Sequence, residues 1–282
     1  MLSLSIALLA EPAPESYLLF DAIPHEQLNK QRRALMFYLD LARRLKRTLV
    51  LPRPRLVKKD ANGRFLPDSE YVRWGEMFNV SALGKLHPVV ELETFLEGGN
   101  TISLLTRIDH KGCPGSGATT VEFNGLGGVK VDEFQCASGM QYNTGALFKL
   151  RDRTSIAFSH SVDQLSPQQA LPLRKYVRFD NSVYERAEAF VAERFGDKSF
   201  VALHWRRTDF LRARATRTGV LQSAAELVRQ AVALKAKHGA ELVYLATDCD
   251  DARELAYVQK HLGPVRYVPE GKTLAARADA AN

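Results

Sequence analysis

Cysteine is scarce in this sequence: 282 residues contain three, Cys113, Cys136 and Cys249, and no CxxC is among them. That spacing excludes the common structural zinc frameworks and a disulfide-dense scaffold. Long apolar runs are missing as well. Nothing approaches the roughly 18 residues that a membrane-spanning helix needs, so no span is expected. There is no GxxxxGK[ST] loop, and Gly115, Gly117, Gly125, Gly127 and Gly128 open no strand-linked helix. Phosphate loops and GxGxxG dinucleotide sites are therefore excluded. Internal repeats, low-complexity tracts, zinc-finger spacing and RNA-recognition motifs are lacking too, which leaves nucleic acid without support as a partner.

What is present is ordinary for a globular protein, with 45% apolar and 25% charged residues. The net charge is +7. Basic residues concentrate at Lys30–Arg33, Arg43–Arg47 and Arg53–Lys59, which suits an anionic ligand such as a nucleotide phosphate, or else forms a solvated face. Met1 to Ala10 read as the apolar region of a signal peptide without its basic leader, or as an apolar start near a buried strand. Cys113 and Cys136 bracket a Gly-rich hairpin-like stretch. They either pair in an oxidising compartment, which would stabilise by about 3 kcal/mol in the chain-entropy model, or stay free in a reducing one. Asn79-Val80-Ser81 is a glycosylation sequon and leans toward the secretory route.

Strand and helix alternate along the chain. Tyr17-Leu-Leu-Phe-Asp21 reads as a strand, and Leu35, Tyr38, Leu39, Ala42 and Leu45 recur at helical spacing. Thr48-Leu-Val-Leu51 is a short buried strand stopped by Pro52 and Pro54. From about residue 110 to 145 the composition shifts to Gly, Ser and Thr, and Asn124-Gly125 offers a two-residue hairpin turn. We read that stretch as an excursion from a first domain. After Asn181 the alternation returns with capping pairs Ser182/Glu185, Ser223/Glu226 and Asp251/Glu254, and with Gly196 and Gly239 at helix ends. Phe200–Trp205 and Leu242–Thr247 are strands between them, and Val265–Val268 is a candidate for one more. The rhythm predicts an α/β fold with parallel sheets in two Rossmann-like domains, 1–180 and 181–282.

Ligands of open parallel sheets sit beyond the carboxyl ends of strands. His204-Trp-Arg-Arg-Thr-Asp209 follows directly from a strand, and alternation sends His204 and Arg206 to one side. An arginine fork suits diphosphate oxygens; the competing reading is a basic loop with Asp209 as counter-ion. Asp248-Cys-Asp-Asp251 also ends a strand, where Asp-x-Asp either holds a divalent cation or caps the next helix. Capping is the better account. Glu26, in Pro24-His-Glu-Gln-Leu-Asn29, is either a general base or a solvated loop carboxylate. Asn29 either caps the helix or meets a phosphate.

These segments resemble the protein O-fucosyltransferases, particularly the branch that modifies thrombospondin type 1 repeats. Tyr17–Asp21 with Pro24–Asn29 is similar to that branch's Y-L-L-Y-D strand and P-P-E-G-F-N loop. Leu49–Pro52, Trp74–Asn79 and Val89–Phe95 resemble L-V-L-P-P, W-S-E-F-F-D and V-I-E-Y-E-x-F. His204–Phe210 and Ala246–Asp248 resemble H-L-R-R-K-D-F and A-T-D. The resemblance implies a GT-B fold, transfer of fucose from GDP-fucose to a Ser or Thr hydroxyl with inversion, and no metal or other cofactor. By position, Glu26 would be the base and Arg206 the group that neutralises the leaving diphosphate. Pro24, Asn29, His204 and Asp248 would bind the donor. A folded protein domain is the expected acceptor and the endoplasmic reticulum lumen the expected compartment. Gln27 and Leu28 stand where the family has Gly-Phe. The family's later Ser-Thr-Phe segment has no counterpart before Asn282, so the second Rossmann half is expected to be incomplete. A non-catalytic GDP-sugar-binding homologue is the alternative.

Overall fold

The computed structural model describes residues 15–22, 28–56, 70–107, 120–137, 139–161, 163–207, 210–211 and 221–267. Among the described residues the chain divides into two compact units, the first ending at Asp180 and the second beginning at Asn181. Among the described residues no helix is long and apolar enough to cross a membrane.

The first unit is a seven-stranded sheet. Its strands are β1 (Tyr17–Ala22), β2 (Thr48–Leu51), β5 (Val89–Glu91), β6 (Ile102–Arg107), β7 (Thr120–Phe123), β8 (Leu126–Cys136) and β9 (Ser155–Ser161), in the order β5-β2-β1-β9-β6-β8-β7. All neighbouring pairs are parallel except the β7–β8 hairpin. A separate antiparallel pair joins β3 (Arg55–Leu56) to β4 (Glu70–Tyr71). Parallel neighbours require crossovers. The largest is helix α1 (Leu28–Leu45), where Leu28, Leu35, Tyr38, Leu39, Ala42 and Leu45 are all buried. Shorter helices α2 (Val80–Gly84), α3 (Leu92–Glu97), α4 (Thr144–Phe148) and α5 (Pro167–Ala170) fill the remaining connections.

The Gly-rich stretch corrects one expectation. Its described part, from Thr120 on, is not an excursion: β8 runs eleven residues and lies parallel to β6 within the main sheet. Phe123, Val129 and Val131 supply the reason, since they bury against Tyr17, Leu19, Val50 and Leu105. The hairpin turn itself is as expected. Asn124 (φ 52°) and Gly125 (φ 74°) both occupy the left-handed region, which a two-residue hairpin of this kind requires. A side chain at Gly125 would collide with the ring of Tyr71. Cys136, at the end of β8, is disulfide-bonded, whereas Cys249 is free and buried. The expected partner, Cys113, lies outside the described residues.

Part of the basic charge is structural. Arg47 is only 3% exposed, and burial pulls its pKa down. Its guanidinium donates to the carbonyls of Arg153 and Leu150 (both 2.9 Å) and Tyr17 (3.3 Å), tying α1 to the sheet's amino end. Arg32 donates to Val177 O at 2.8 Å and lies over Phe179, and Arg53 pairs with Glu93 at 3.1 Å.

The second unit holds α6 (Asn181–Phe195), β10 (Phe200–Trp205), α7 (Ala224–His238), β11 (Leu242–Thr247) and α8 (Ala252–Leu262). Strands β10 and β11 are parallel and in register, Phe200 beside Leu242 and Trp205 beside Thr247. Val265 adds a single parallel bridge to Tyr244. One face of this sheet packs Trp205 and Leu245 against Ala224 and Leu227 of α7 and Val258 of α8. Ser223 Oγ accepts from Glu226 N to start α7, and Gly239 (φ 62°) ends it in the left-handed conformation that glycine alone adopts without strain.

Candidate functional site

In the second unit the chemistry gathers where β10 and β11 end. Alternation along β10 leaves His204 exposed and Arg206 half-buried, while Trp205 and Arg207 between and after them are buried. His204 and Arg206 thus share the more open side, as the pleat dictates. The Arg206 guanidinium lies 4.7 Å from the ring centre of Phe210, which steadies a long side chain by a cation–π contact.

Arg207 is used differently. It is 9% exposed and forms a forked pair with Glu254, Nε donating to Oε2 at 2.8 Å and Nη2 donating to Oε1. Nη1 donates to Gln222 O at 3.2 Å, and the guanidinium lies 5.2 Å from the Trp205 ring centre. The Arg207 backbone N–H donates to Asp248 Oδ1 at 2.5 Å, and Thr247 Oγ1 donates to Trp205 O at 2.6 Å. Asp248 therefore ties the two strand ends together. Asp251 caps α8, its Oδ1 accepting from Arg253 N at 2.8 Å and Glu254 N at 3.1 Å. Those bonds from Glu254 N and Arg253 N hold its carboxyl below the usual range.

Sequence reasoning placed Glu254 as the return half of a capping box. Its side chain instead crosses to Arg207. The spacing from Asp251 fits both uses equally, so the only sequence signal was Arg207 falling on the buried side of the pleat. Cys249 packs beside this pair, Sγ 3.6 Å from Glu254 Oε2, and burial pushes its thiol pKa up.

In the first unit the described part of the site is the carboxyl end of β1. Asn124, 2% exposed, donates from Nδ2 to Phe20 O at 3.0 Å, and its backbone N–H donates to Asp21 Oδ2 at 3.2 Å. The hairpin tip is therefore buried against the strand end. Tyr71 sits between Arg53 and Arg55, whose guanidinium carbons lie 5.8 and 5.7 Å from its ring centre. Burial, then the nearby Asp21 charge, raises its pKa. Asn29 is exposed within the first turn of α1, which begins at Leu28, so it does not cap that helix. Asn79 Oδ1 caps α2 by accepting from Ala82 N at 2.8 Å. Pro24 and Glu26 lie outside the described residues.

Two α/β units with a large, mostly parallel sheet make a GT-B-like fold, and His-x-Arg stands at a strand's carboxyl end within it. The chain belongs to the GDP-fucose protein O-fucosyltransferase family, whose profile matches residues 17–280. Among solved structures it is similar to POFUT1 in complex with GDP, at 18% identity and TM-score 0.69, covering 96% of this chain and 90% of that one. It is also similar to POFUT1 in complex with GDP-fucose, at 17% identity and TM-score 0.70, covering 95% and 88%. At such identity these likenesses speak to fold. No curated protein matches this sequence.

Proposed function

We propose that this protein transfers fucose from GDP-fucose to a Ser or Thr hydroxyl of a folded protein domain, with thrombospondin type 1 repeats as the acceptor class. The observation that carries the reading is the end of β10, where His204 and Arg206 share the open side while Arg207 is consumed by Glu254. Family membership supplies the donor, and both POFUT1 structures above hold GDP or GDP-fucose.

In this mechanism Arg206 faces the diphosphate and stabilises the charge that grows as the glycosidic bond breaks. His204, Asn29, Pro24 and Asp248 hold the nucleotide sugar. Glu26 takes the proton of the acceptor hydroxyl, whose oxygen attacks the anomeric carbon from the side opposite GDP, so the configuration inverts. No metal is required, because the cation at the leaving group is a guanidinium. The disulfide at Cys136 supports an oxidising compartment, the endoplasmic reticulum lumen.

Calorimetric titration with GDP and GDP-fucose, wild type against Arg206→Ala, tests the donor site. Binding by the wild type that the variant loses is the expected result; equal binding by both would remove Arg206 from the site. For Glu26→Gln, transfer to a folded thrombospondin repeat should fall at least a hundredfold with GDP affinity kept. Undiminished transfer would dismiss Glu26 as the base.

A further inference from the structure

We infer that Glu254, acting through Arg207, is a positioning residue for Arg206; the inference rests on the donor-site reading above. Adjacent residues leaving a strand point to opposite sides. If Arg206 is to meet a diphosphate, the backbone on either side of it must be fixed, because a guanidinium on a long stem loses its geometry when its root moves. Before it, Trp205 is anchored by the Thr247 hydroxyl donating to its carbonyl and by its own indole Nε1, which donates to Gln222 O at 3.1 Å. After it, Arg207 is held from three directions: the Glu254 carboxylate on α8, the Gln222 carbonyl just ahead of the Ser223 cap of α7, and the Asp248 carboxylate at the end of β11.

Charge makes the same point. A guanidinium as buried as that of Arg207 requires an anion, and a carboxylate matches its fork with two parallel bonds. Glu254 thereby neutralises Arg207 and holds it against α8, away from the side that Arg206 shares with His204. Without the Glu254 charge, Arg207 would seek another anion, and Asp248, which already accepts from its backbone N–H, and Asp251, which feels its charge, are at hand. Either move shifts the turn that carries Arg206. Arg207 and Glu254 stand 47 residues apart in sequence. Their pairing is therefore a product of the β10–β11 register and not of local helix formation.

The test is GDP titration of Glu254→Gln, Arg207→Lys and the double variant, with Arg206→Ala alongside and thermal melts of all four. Glu254→Gln keeps the shape and removes the charge; Arg207→Lys keeps the charge and removes the fork. Each should weaken GDP about tenfold, and the double variant no more than either alone, because one clasp is broken only once. The Michaelis constant for GDP-fucose should rise with the dissociation constant. A purely stabilising pair would lower the melting temperature and leave the affinity of the folded protein unchanged. That result in Glu254→Gln or Arg207→Lys, with GDP lost in Arg206→Ala, overturns the positioning role alone. If Arg206→Ala binds GDP like the wild type, the donor-site reading falls and takes this inference with it. Should Glu254→Gln fail to fold, Arg207→Lys decides the question.

Discussion

Helix α1 buries eleven of its 18 residues, whereas α6 buries one of its 15. Part of the difference lies in sequence, since α1 gathers its apolar residues on one face much more sharply than α6 does. In the first unit α1 lies on a sheet seven strands wide, so Leu35, Tyr38, Leu39 and Ala42 have strands on both sides of their contact. Among the described residues of the second unit, β10 and β11 form a two-stranded sheet. Beside α6 they leave an apolar groove of about 330 Å³ lined by Val183, Phe190, Phe195, Phe200, Tyr244 and Tyr267. Helix amphipathicity and sheet width together set how much each helix buries. It follows that the second unit depends more on polar ties and caps, and that it should unfold first.

The protein carries its own reporters for that contrast. Its two tryptophans fall one in each unit, Trp74 at 1% exposure and Trp205 at 3%. In Trp74→Phe and Trp205→Phe variants, urea melts followed by fluorescence should show the Trp205 transition at lower urea than the Trp74 transition. Coincident transitions would break the comparison. The largest single effect is expected from Phe158→Ala. Phe158 is fully buried at the centre of β9 and packs against Tyr38, so truncation should cost about 4 kcal/mol. That loss, read through Trp74, should bring the first unit down to or below the second.

Strands β1, β2, β10 and β11 were legible in the sequence because each is a short apolar run stopped by a turn or a proline. Asn124-Gly125 was legible because few dipeptides tolerate two positive φ angles. Strands β6 and β9 were not. Ser103 and Ser155 sit inside them as a mutual pair, Ser103 N donating to Ser155 Oγ at 2.7 Å, so polar residues interrupt the apolar signal. The membership of β8 in the main sheet was hidden for another reason: pairing with β6 is a long-range choice made by burial of Val129 and Val131, which also fits a detached hairpin. At the site, alternation sorted His204 and Arg206 from Arg207. It could not reveal Glu254, whose position satisfies the local rule for a helix cap while its side chain serves a partner across the sheet.

Two smaller perturbations sharpen the contrast from each side. Gly125→Ala places a methyl group against the Tyr71 ring at a positive φ, and should cost roughly 2 kcal/mol in the Trp74 melt. A loss below half of that would mean the hairpin tip yields easily and does not brace the end of β1. Ser223→Ala removes the N-cap of α7, where Oγ accepts from Glu226 N at 3.2 Å, at a cost of about 1 kcal/mol. In a unit with little burial that loss should lower the Trp205 midpoint visibly and leave the Trp74 midpoint in place. Equal movement of both midpoints would argue that the units unfold together.

The smallest effect concerns Asp163, 5% exposed just beyond β9. Its Oδ2 accepts from Gln141 Nε2 at 3.1 Å and Tyr38 Oη at 3.3 Å, and its Oδ1 accepts from Tyr142 Oη. Burial nonetheless raises its pKa, the hydrogen bonds from Gln141 and Tyr38 offsetting part of the rise. The native state therefore keeps this proton to higher pH than the unfolded chain does. The stability it contributes is complete below the unfolded carboxyl value of about 4 and is lost as pH rises through the raised native value. Asp163→Asn retains an acceptor oxygen for the tyrosines and removes the titration. Its stability relative to wild type should improve as pH climbs from about 4 toward 7, read in the Trp74 melt, while the Trp205 melt keeps a constant difference. A pH-independent difference at Trp74 would mean that the hydrogen bonds fully offset burial, so that even the well-packed unit holds this buried carboxylate by polar ties, as the thinner unit does.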